Sequence, residues 1–458
     1  MKAAVGAAAH TFSAYSLAEH TRYRRAVEAA IWGMPIVSVD AMRQAFLRDA
    51  GARYNDIVYL SKQADWKFQI ATPNASTWYV YVPINTKSGP VVLDIPPAVG
   101  AGLFGTLNDA WQTREADIRS TGKDGDQGTK YVVLPPAYKG AAPAGFVPIQ
   151  LRTYNSYSCL CAIPASASPG DVAKAIDLAR SVRAYSLTEA ASPPPQRCID
   201  MAGKLFDGIA RFDDTFYDSL ARIVDEEPVQ ERDSVAMAYL HSIGIQKNKP
   251  FKPDPALREM LKRAIVEARE GFIQSMIALP PFAPRAHWAA PGASVGAETG
   301  HTFETVGYLD LDARAQLFFF GCAPAQAPRA IMFALAAMKD ATGAPLHGET
   351  TYQLRVPPDV PSTHGWTVTV HDLETATFIR GAARVAINSN HAQIQTNVDG
   401  SVDLFFAPAP PRGRDANWIG TRSGGRWLAL FRFCGPEKAV FDRRWVLPDI
   451  EPLKRVRS

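Results

Sequence analysis

Helix and strand signals sit in separate blocks of this chain, and that segregation constrains its fold more than any single motif. Residues 22–50 carry an apolar stripe at helical spacing, with Ala26, Ile31, Met34 and the run from Met42 to Leu47. Gly33-Met34-Pro35 interrupts the stripe, and proline there is expected to break or kink a helix. From about 57 to 163 the texture is short β-branched or aromatic runs: WYVYV (78–82), PVVLDI (90–95), YVVLP (131–135) and SYSCLCAI (156–163). Gly, Pro, Asn and Lys-Ser-Gly turns part them, as in a β domain. The polar loop TGKDGDQGTK (121–130) reads as a hairpin connection.

Helix resumes at Ser168-Pro169-Gly170-Asp171, a start signal followed by Val172, Ala175, Ile176, Ala179 and Val182 at 3.6-residue spacing. Further helices are predicted over 213–224, 231–243 and 255–278. After PPFAP (280–284) five segments read as strands: YLDLDARAQLFFFG (308–321), TYQLRV (351–356), GWTVTVHDL (365–373), SVDLFF (401–406) and WLALFRF (427–433). GWTVTVHDL alternates, placing Trp366, Val368 and Val370 on one face and Thr367, Thr369 and His371 on the other. That is the pattern of a half-buried antiparallel strand. Asp399-Gly400 suits a type I′ turn. The expected fold is α+β, with two β-sandwich or jelly-roll-like domains and a helical segment between them. Its parts are an N-terminal helical segment (1–49), a β domain (50–165), a helical segment (166–282) and a C-terminal β-sandwich (283–458).

Several function classes drop out. Strand-helix alternation, GxGxxG and the P-loop pattern are missing, so no nucleotide-binding fold is indicated. Net charge is 49 − 45 = +4, too little over 458 residues to argue for nucleic acid. No stretch of 18 apolar residues occurs, so no transmembrane segment is expected. The start, MKAAVGAAAHTFSAYSLAEH, has one Lys and a short Ala-rich run broken by His10. That leaves two locations open: cytoplasmic, or periplasmic or secreted with a signal removed. Five cysteines are an odd count, and Cys159 and Cys161 share one strand face. All five, with Cys198, Cys322 and Cys434, are expected as unpaired thiols.

Several strings together carry a likeness. AVEAAIWGMP (26–35), TPNASTWY (72–79), GPVVLDIPP (89–97) and KYVVLPPAYKG (130–140) are followed by DARAQLFFF (312–320), TYQLRVPPDVP (351–361), NVDGSVDLFF (397–406), NWIGT (417–421) and GPEKAVFDRRWVLPDIEP (435–452). The chain resembles bacterial proteins that join two domains of unknown function, 1254 at the N-terminus and 1214 at the C-terminus. The resemblance implies the two-sandwich architecture and a homo-oligomer. Exposed-looking Trp418, Trp427 and Trp445 point the same way. One departure stands out. The family often has Asp-Thr where this chain has Ser76-Thr77, so Ser76 does not take over a carboxylate's role unaided.

Three chemistries compete. A Ser-His-Asp hydrolase needs a base beside an exposed hydroxyl. No GxSxG elbow is present, and His301, His364 or His371 would reach Ser76 only through the tertiary fold. His301, Glu304, Asp310 and Asp312 are of the right types for a divalent cation. Against that, Asp310 and Asp312 would cap a turn and pair with Arg314, and neither metal nor cofactor is expected. Lastly, Asn74, Thr77, Tyr79, Trp111, Arg152, Tyr154 and Arg314 would bound a polar, aromatic pocket. Arg152 and Tyr154 would lie on one inward strand face, with the arginine fork suited to a carboxylate. The structural alternative is an Arg-Asp pair and core tyrosines. The function readings are a hydrolase of a small ester or amide with a carboxylate and an apolar part, a non-catalytic binder of such a small molecule, and an assembly protein.

Overall fold

Alternation along the strands decides which side chains meet in each of two β-sandwiches. The computed structural model describes residues 14–120, 127–284, 286–321, 332–391 and 393–453. In the first sandwich a six-stranded sheet runs in the order Cys198–Asp200, Ile57–Tyr59, Trp78–Asn85, Asn155–Pro164, Ala101–Asp109, Arg114–Arg119. It faces a four-stranded sheet of Arg183–Ser186, Val91–Ile95, Thr129–Leu134 and Val147–Gln150. Val80, Val82, Leu103 and Leu160 from one sheet meet Val91, Leu93 and Val133 from the other. Helix Pro169–Arg180 adds Ala175, Leu178 and Ala179 to this core, and the Ser168 side chain caps it by accepting from Asp171 N. The domain therefore extends past the expected boundary at 165. Arg183–Ser186 completes one sheet, and Cys198–Asp200 pairs in parallel with Ile57–Tyr59 in the other.

The second sandwich sets Trp288–Ala289, Met332–Ala337, Trp427–Cys434, Trp366–Asp372 and Ala386–Asn388 against Trp418–Gly420, Val402–Ala407, Tyr352–Val356 and Glu451–Pro452. Its core gathers Val368, Val370, Leu354, Leu404, Phe406 and Phe431. The fold is α+β, as expected.

The first helix is not a segment apart. Ala14–Arg48 is the axis of a helical body, with Phe216–Glu226, Ser234–Ser242, Pro255–Ile277 and Leu311–Phe319 packed on it. Pro35 does not end it; the helix runs through 35 residues. Trp32, Met34, Ile36 and Val37 are buried around the proline, so packing on neighbours outweighs the lost backbone bond. Gly33 lets two helices close up, because a Cβ there would lie 2.7 Å from Leu220 Cδ1.

Three local expectations need correction. YLDLDARAQLFFFG is not a strand: Leu311–Phe319 is a helix, with Asp310 at its N-cap accepting from Ala313 N at 3.0 Å. Asp399-Gly400 is not a type I′ turn, since only Gly400 has positive φ, +80°. The three C-terminal tryptophans are engaged within the chain: Trp427 is buried, Trp418 donates to Ala407 O, and Trp445 packs on Phe431 and Phe433. Cys159, Cys161, Cys198 and Cys434 are free thiols. Cys322, residues 1–13 and residues 121–126 of the polar loop lie outside the described residues. Among the described residues no helix is long and apolar enough to cross a membrane.

Candidate functional site

The strand Trp366–Asp372 was expected to leave its polar face in water, yet all seven of its residues are buried. Its core face is the expected one. The face of Thr367, Thr369 and His371 continues onto the adjacent strand, where Thr367 pairs with Arg432 and Thr369 with Leu430. What covers this face is the first sandwich, through the stretch TPNAST. Thr367 donates to Ser76 Oγ at 3.0 Å, and Arg432 donates to Thr72 O at 2.7 Å and to Thr369 Oγ1 at 2.6 Å. Gln69 Nε2 reaches Phe378 O at 3.0 Å.

Thr72 is the clasp. Its φ of +37° is unusual for a β-branched residue. Its N–H donates to Ala376 O and its hydroxyl to Phe320 O, both at 2.6 Å, while its carbonyl takes Arg432. Three contacts to the C-terminal half hold the strained backbone in place. TPNAST itself is a self-bonded turn. Asn74 Oδ1 accepts from Ser76 N and Oγ, Asn74 Nδ2 donates to Thr77 Oγ1 at 3.0 Å, and Asn74 N donates to the Tyr79 hydroxyl at 2.9 Å.

Beside the clasp the two sandwiches part, leaving a cleft of about 1410 Å³. Register explains its walls. On the first sandwich Tyr79, Cys161 and Phe104 form one cross-strand row, with Thr106 following. On the second, Ala334, Arg432, Thr367 and Asn388 form another. Trp78, Phe333 and Phe441 enlarge the apolar lining. Among the described residues that line the cleft there is no Asp, Glu or Lys, and Arg432 carries the only fixed charge. His364 and His391 stand at its rim; burial holds His391 below the usual histidine range, with Arg384 adding to the effect. Below the wall, His371 stacks on Phe378 (5.1 Å, 10°) and shares a 2.7 Å contact with Thr369 Oγ1. Burial, seconded by Arg432, pushes His371 well below its ordinary value, so it stays neutral.

Two family models match the chain, one in each sandwich. The model described as "Protein of unknown function (DUF1254)" matches residues 54–185, and "Protein of unknown function (DUF1214)" matches residues 332–438. The chain joins a DUF1254 domain to a DUF1214 domain. A crystal structure of the VPA0106 protein from Vibrio parahaemolyticus is similar at TM-score 0.53 and 16% identity, covering 94% of this chain and 100% of that one. At that identity the likeness concerns the fold alone. A second, from an uncharacterized protein of Burkholderia cenocepacia, reaches TM-score 0.40 at 14% identity, covering 96% of each chain. No curated protein matches this chain significantly.

The cleft thus lies between the DUF1254 and DUF1214 domains, and it gathers only part of the predicted set. Asn74, Thr77 and Tyr79 line it. Trp111 and Arg314 come together elsewhere, where the DUF1254 domain meets the helices. The Arg314 guanidinium lies 4.9 Å from the Trp111 ring centroid and donates to Trp32 O at 2.9 Å. Arg314 does not pair with Asp310 or Asp312. Burial lowers it to about 10 against the pull of nearby Asp233 and Asp109. Asp109 is itself buried; desolvation, then Glu115, pushes its carboxyl up to about 7, although Thr113 N and Trp111 N donate to it.

Arg152 and Tyr154 are corrected most. Neither is on a strand, because the strand begins at Asn155. Buried Glu227 accepts from Tyr154 N at 2.6 Å and from Asn155 N at 2.9 Å, which fixes that start. The Arg152 side chain is 54% exposed and pairs with Glu304, which Arg232 also contacts. His301 bonds Gly292 O at 3.1 Å and Asp310 caps its helix. Among the described residues no group of three or more His, Cys, Asp or Glu is arranged to hold a metal. Sequence reasoning missed Arg432. The signal was there: in WLALFRF, period two puts Arg432 opposite Phe431 and Phe433, on the face of Leu428 and Leu430.

Proposed function

We propose that the protein binds a small, largely apolar molecule in the cleft between its two domains and does not turn it over. The observation that carries this is the lining: a large recess with aromatic and aliphatic walls and a few placed polar groups, the usual character of a ligand site. A hydrolase acting on a small ester or amide remains the competing reading. It has less behind it, because the candidate nucleophiles are poorly set. The Ser76 hydroxyl is engaged by Asn74 and Thr367. Ser389 Oγ accepts from Trp366 N. Burial raises the Cys161 and Cys434 thiols, the wrong direction for a nucleophilic thiolate. Self-association has only the family likeness behind it, and sedimentation of the purified protein at micromolar concentration tests it.

The test of binding is a titration with 1-aminoanthracene, a neutral apolar fluorophore, on wild type and on Thr106→Trp, which puts bulk into the cleft from its strand. The expected result is one saturable site in wild type and none in the variant, with the melting transition preserved. Equal binding to both proteins would remove the cleft from the account. Release of acid from p-nitrophenyl esters at a rate that Thr106→Trp abolishes would instead favour the hydrolase.

A further inference from the structure

We infer that the cleft takes a lipid with two alkyl chains side by side under an ester-linked, hydrogen-bonding head, the shape of a diacylglycerol. The inference rests on the binding reading above and adds the ligand's breadth and head group to it.

The footprint carries the argument. On the first wall Gly102, Phe104 and Thr106 alternate along one strand and line the cleft. On the second, Leu430, Arg432 and Cys434 do the same. Each trio spans four residue steps, about 14 Å at roughly 3.4 Å per step. An extended alkyl chain advances about as far in three bonds as a peptide does in one residue, so each wall is about twelve carbons long. Breadth comes from the rows across the strands. Tyr79, Cys161 and Phe104 cross three strands, about 10 Å at roughly 4.8 Å per spacing. Ala334, Arg432, Thr367 and Asn388 cross four, about 14 Å. Carbon atoms in contact stand about 3.5–4.0 Å apart, so one strand spacing holds one alkyl chain. A single chain would leave most of that breadth bare, and two fill the narrower wall. The 1410 Å³ of the cleft agrees, since a site for one drug-sized molecule measures about 300–1,000 Å³.

Polar groups gather past the Cys434 end. Thr363 N donates to Gly435 O at 2.9 Å, His364 N to Cys434 O at 3.0 Å, and Ser389 N to Trp366 O at 2.9 Å. A Cβ on Gly365 would lie 2.1 Å from Ser389 Oγ and 3.8 Å from Asn390 Nδ2, so the two loops meet closely. Thr363, His364, Ser389 and Asn390 all line the cleft. Hydroxyl, imidazole and amide groups suit the ester and hydroxyl oxygens of a glycerol head.

The experiment is displacement of 1-aminoanthracene by 1-monooctanoylglycerol, 1-monopalmitoylglycerol and 1,2-dioctanoylglycerol. The last two carry the same number of acyl carbons, in one chain or in two. In wild type dioctanoylglycerol is expected to bind at least tenfold more tightly than either, because octanoyl chains fit within the walls and a palmitoyl chain overruns them. Dioctanoylphosphatidylcholine, run beside them, tells whether the head is free or phosphorylated; tighter binding of either two-chain lipid keeps the inference. Ala334→Leu adds bulk at the end of the four-strand row. There the advantage of dioctanoylglycerol over monooctanoylglycerol should fall at least threefold, with the melting transition preserved. The wild-type ranking decides alone if that variant does not fold. Equal or tighter binding of monopalmitoylglycerol than of both two-chain lipids in wild type would mean a single-chain site and overturn the inference. An unchanged advantage in folded Ala334→Leu would overturn it too, and both results leave the binding reading standing. Failure of the probe to bind wild type at all would remove the reading itself.

Discussion

Two of the buried arginines, Arg314 and Arg432, have contrasting surroundings. Arg314 lies at the junction of the DUF1254 domain with the helices, stacked on Trp111 and surrounded by Asp109, Asp233 and Arg232. Arg432 lies at the seam of the two sandwiches, held by a threonine hydroxyl and a backbone carbonyl. The first is compensated from within, which makes it part of the fold. The second ties the two sandwiches together, and it lines a cleft whose described lining holds no acid. Both are arginine in an aromatic setting, and only their neighbours assign them different work.

That contrast breaks most visibly under Arg314→Leu. The substitution removes a charged hydrogen bond to Trp32 O and a desolvated stack on Trp111, together about 3–5 kcal/mol. Arg432→Leu removes the hydrogen bonds to Thr369 Oγ1 and Thr72 O, and its cost should be smaller, about 1–3 kcal/mol. Urea denaturation of both variants checks the order. Equal costs would erase the distinction.

Asp109 sharpens the same junction through pH. Unfolded, its carboxyl ionises near 3.9; folded, it keeps its proton up to about 7. The native state holds the extra proton between those values, so this group's contribution to stability falls as pH rises from about 4 to 7. Asp109→Asn retains the acceptor for Trp111 N and Thr113 N. It is expected to flatten that slope and to exceed wild type above pH 7 by an amount on the order of a few kcal/mol. An unchanged slope in melting temperature against pH would contradict this.

The smallest effect belongs to the seam. Thr367→Val deletes the bond to Ser76 and should cost about 1 kcal/mol by urea titration. Binding of 1-aminoanthracene should survive it within a factor of a few. Loss of binding would mean that the clasp, rather than the walls, makes the site.

Much of this was legible before the structure. Period two in GWTVTVHDL sorted Trp366, Val368 and Val370 from Thr367, Thr369 and His371 correctly. Burial of the second face was not legible, because nothing local says that TPNAST will cover it from some 290 residues upstream. The strand reading of YLDLDARAQLFFFG failed because Asp310 and Asp312, two apart, mimic alternation, while Asp310 is in fact a cap. Arg152 was misplaced for a similar reason. The strand there starts only at Asn155, where Glu227 from a distant helix end takes the backbone N–H groups. Asn74, Thr77 and Tyr79 line the cleft, and the arginine in that wall is Arg432, read only as one letter of a strand.

The cleft has its own reporters, and they give the most direct test. Cys161 and Cys434 line opposite walls, while Cys198 lies outside, its thiol donating to Arg180 O. Alkylation with iodoacetamide at mildly alkaline pH, read peptide by peptide in a mass spectrometer, follows all three at once. With 1-aminoanthracene at saturation, labelling of Cys161 and Cys434 should slow together while Cys198 keeps its rate. Unchanged labelling of Cys161 and Cys434 with the ligand bound would place it elsewhere and contradict the account.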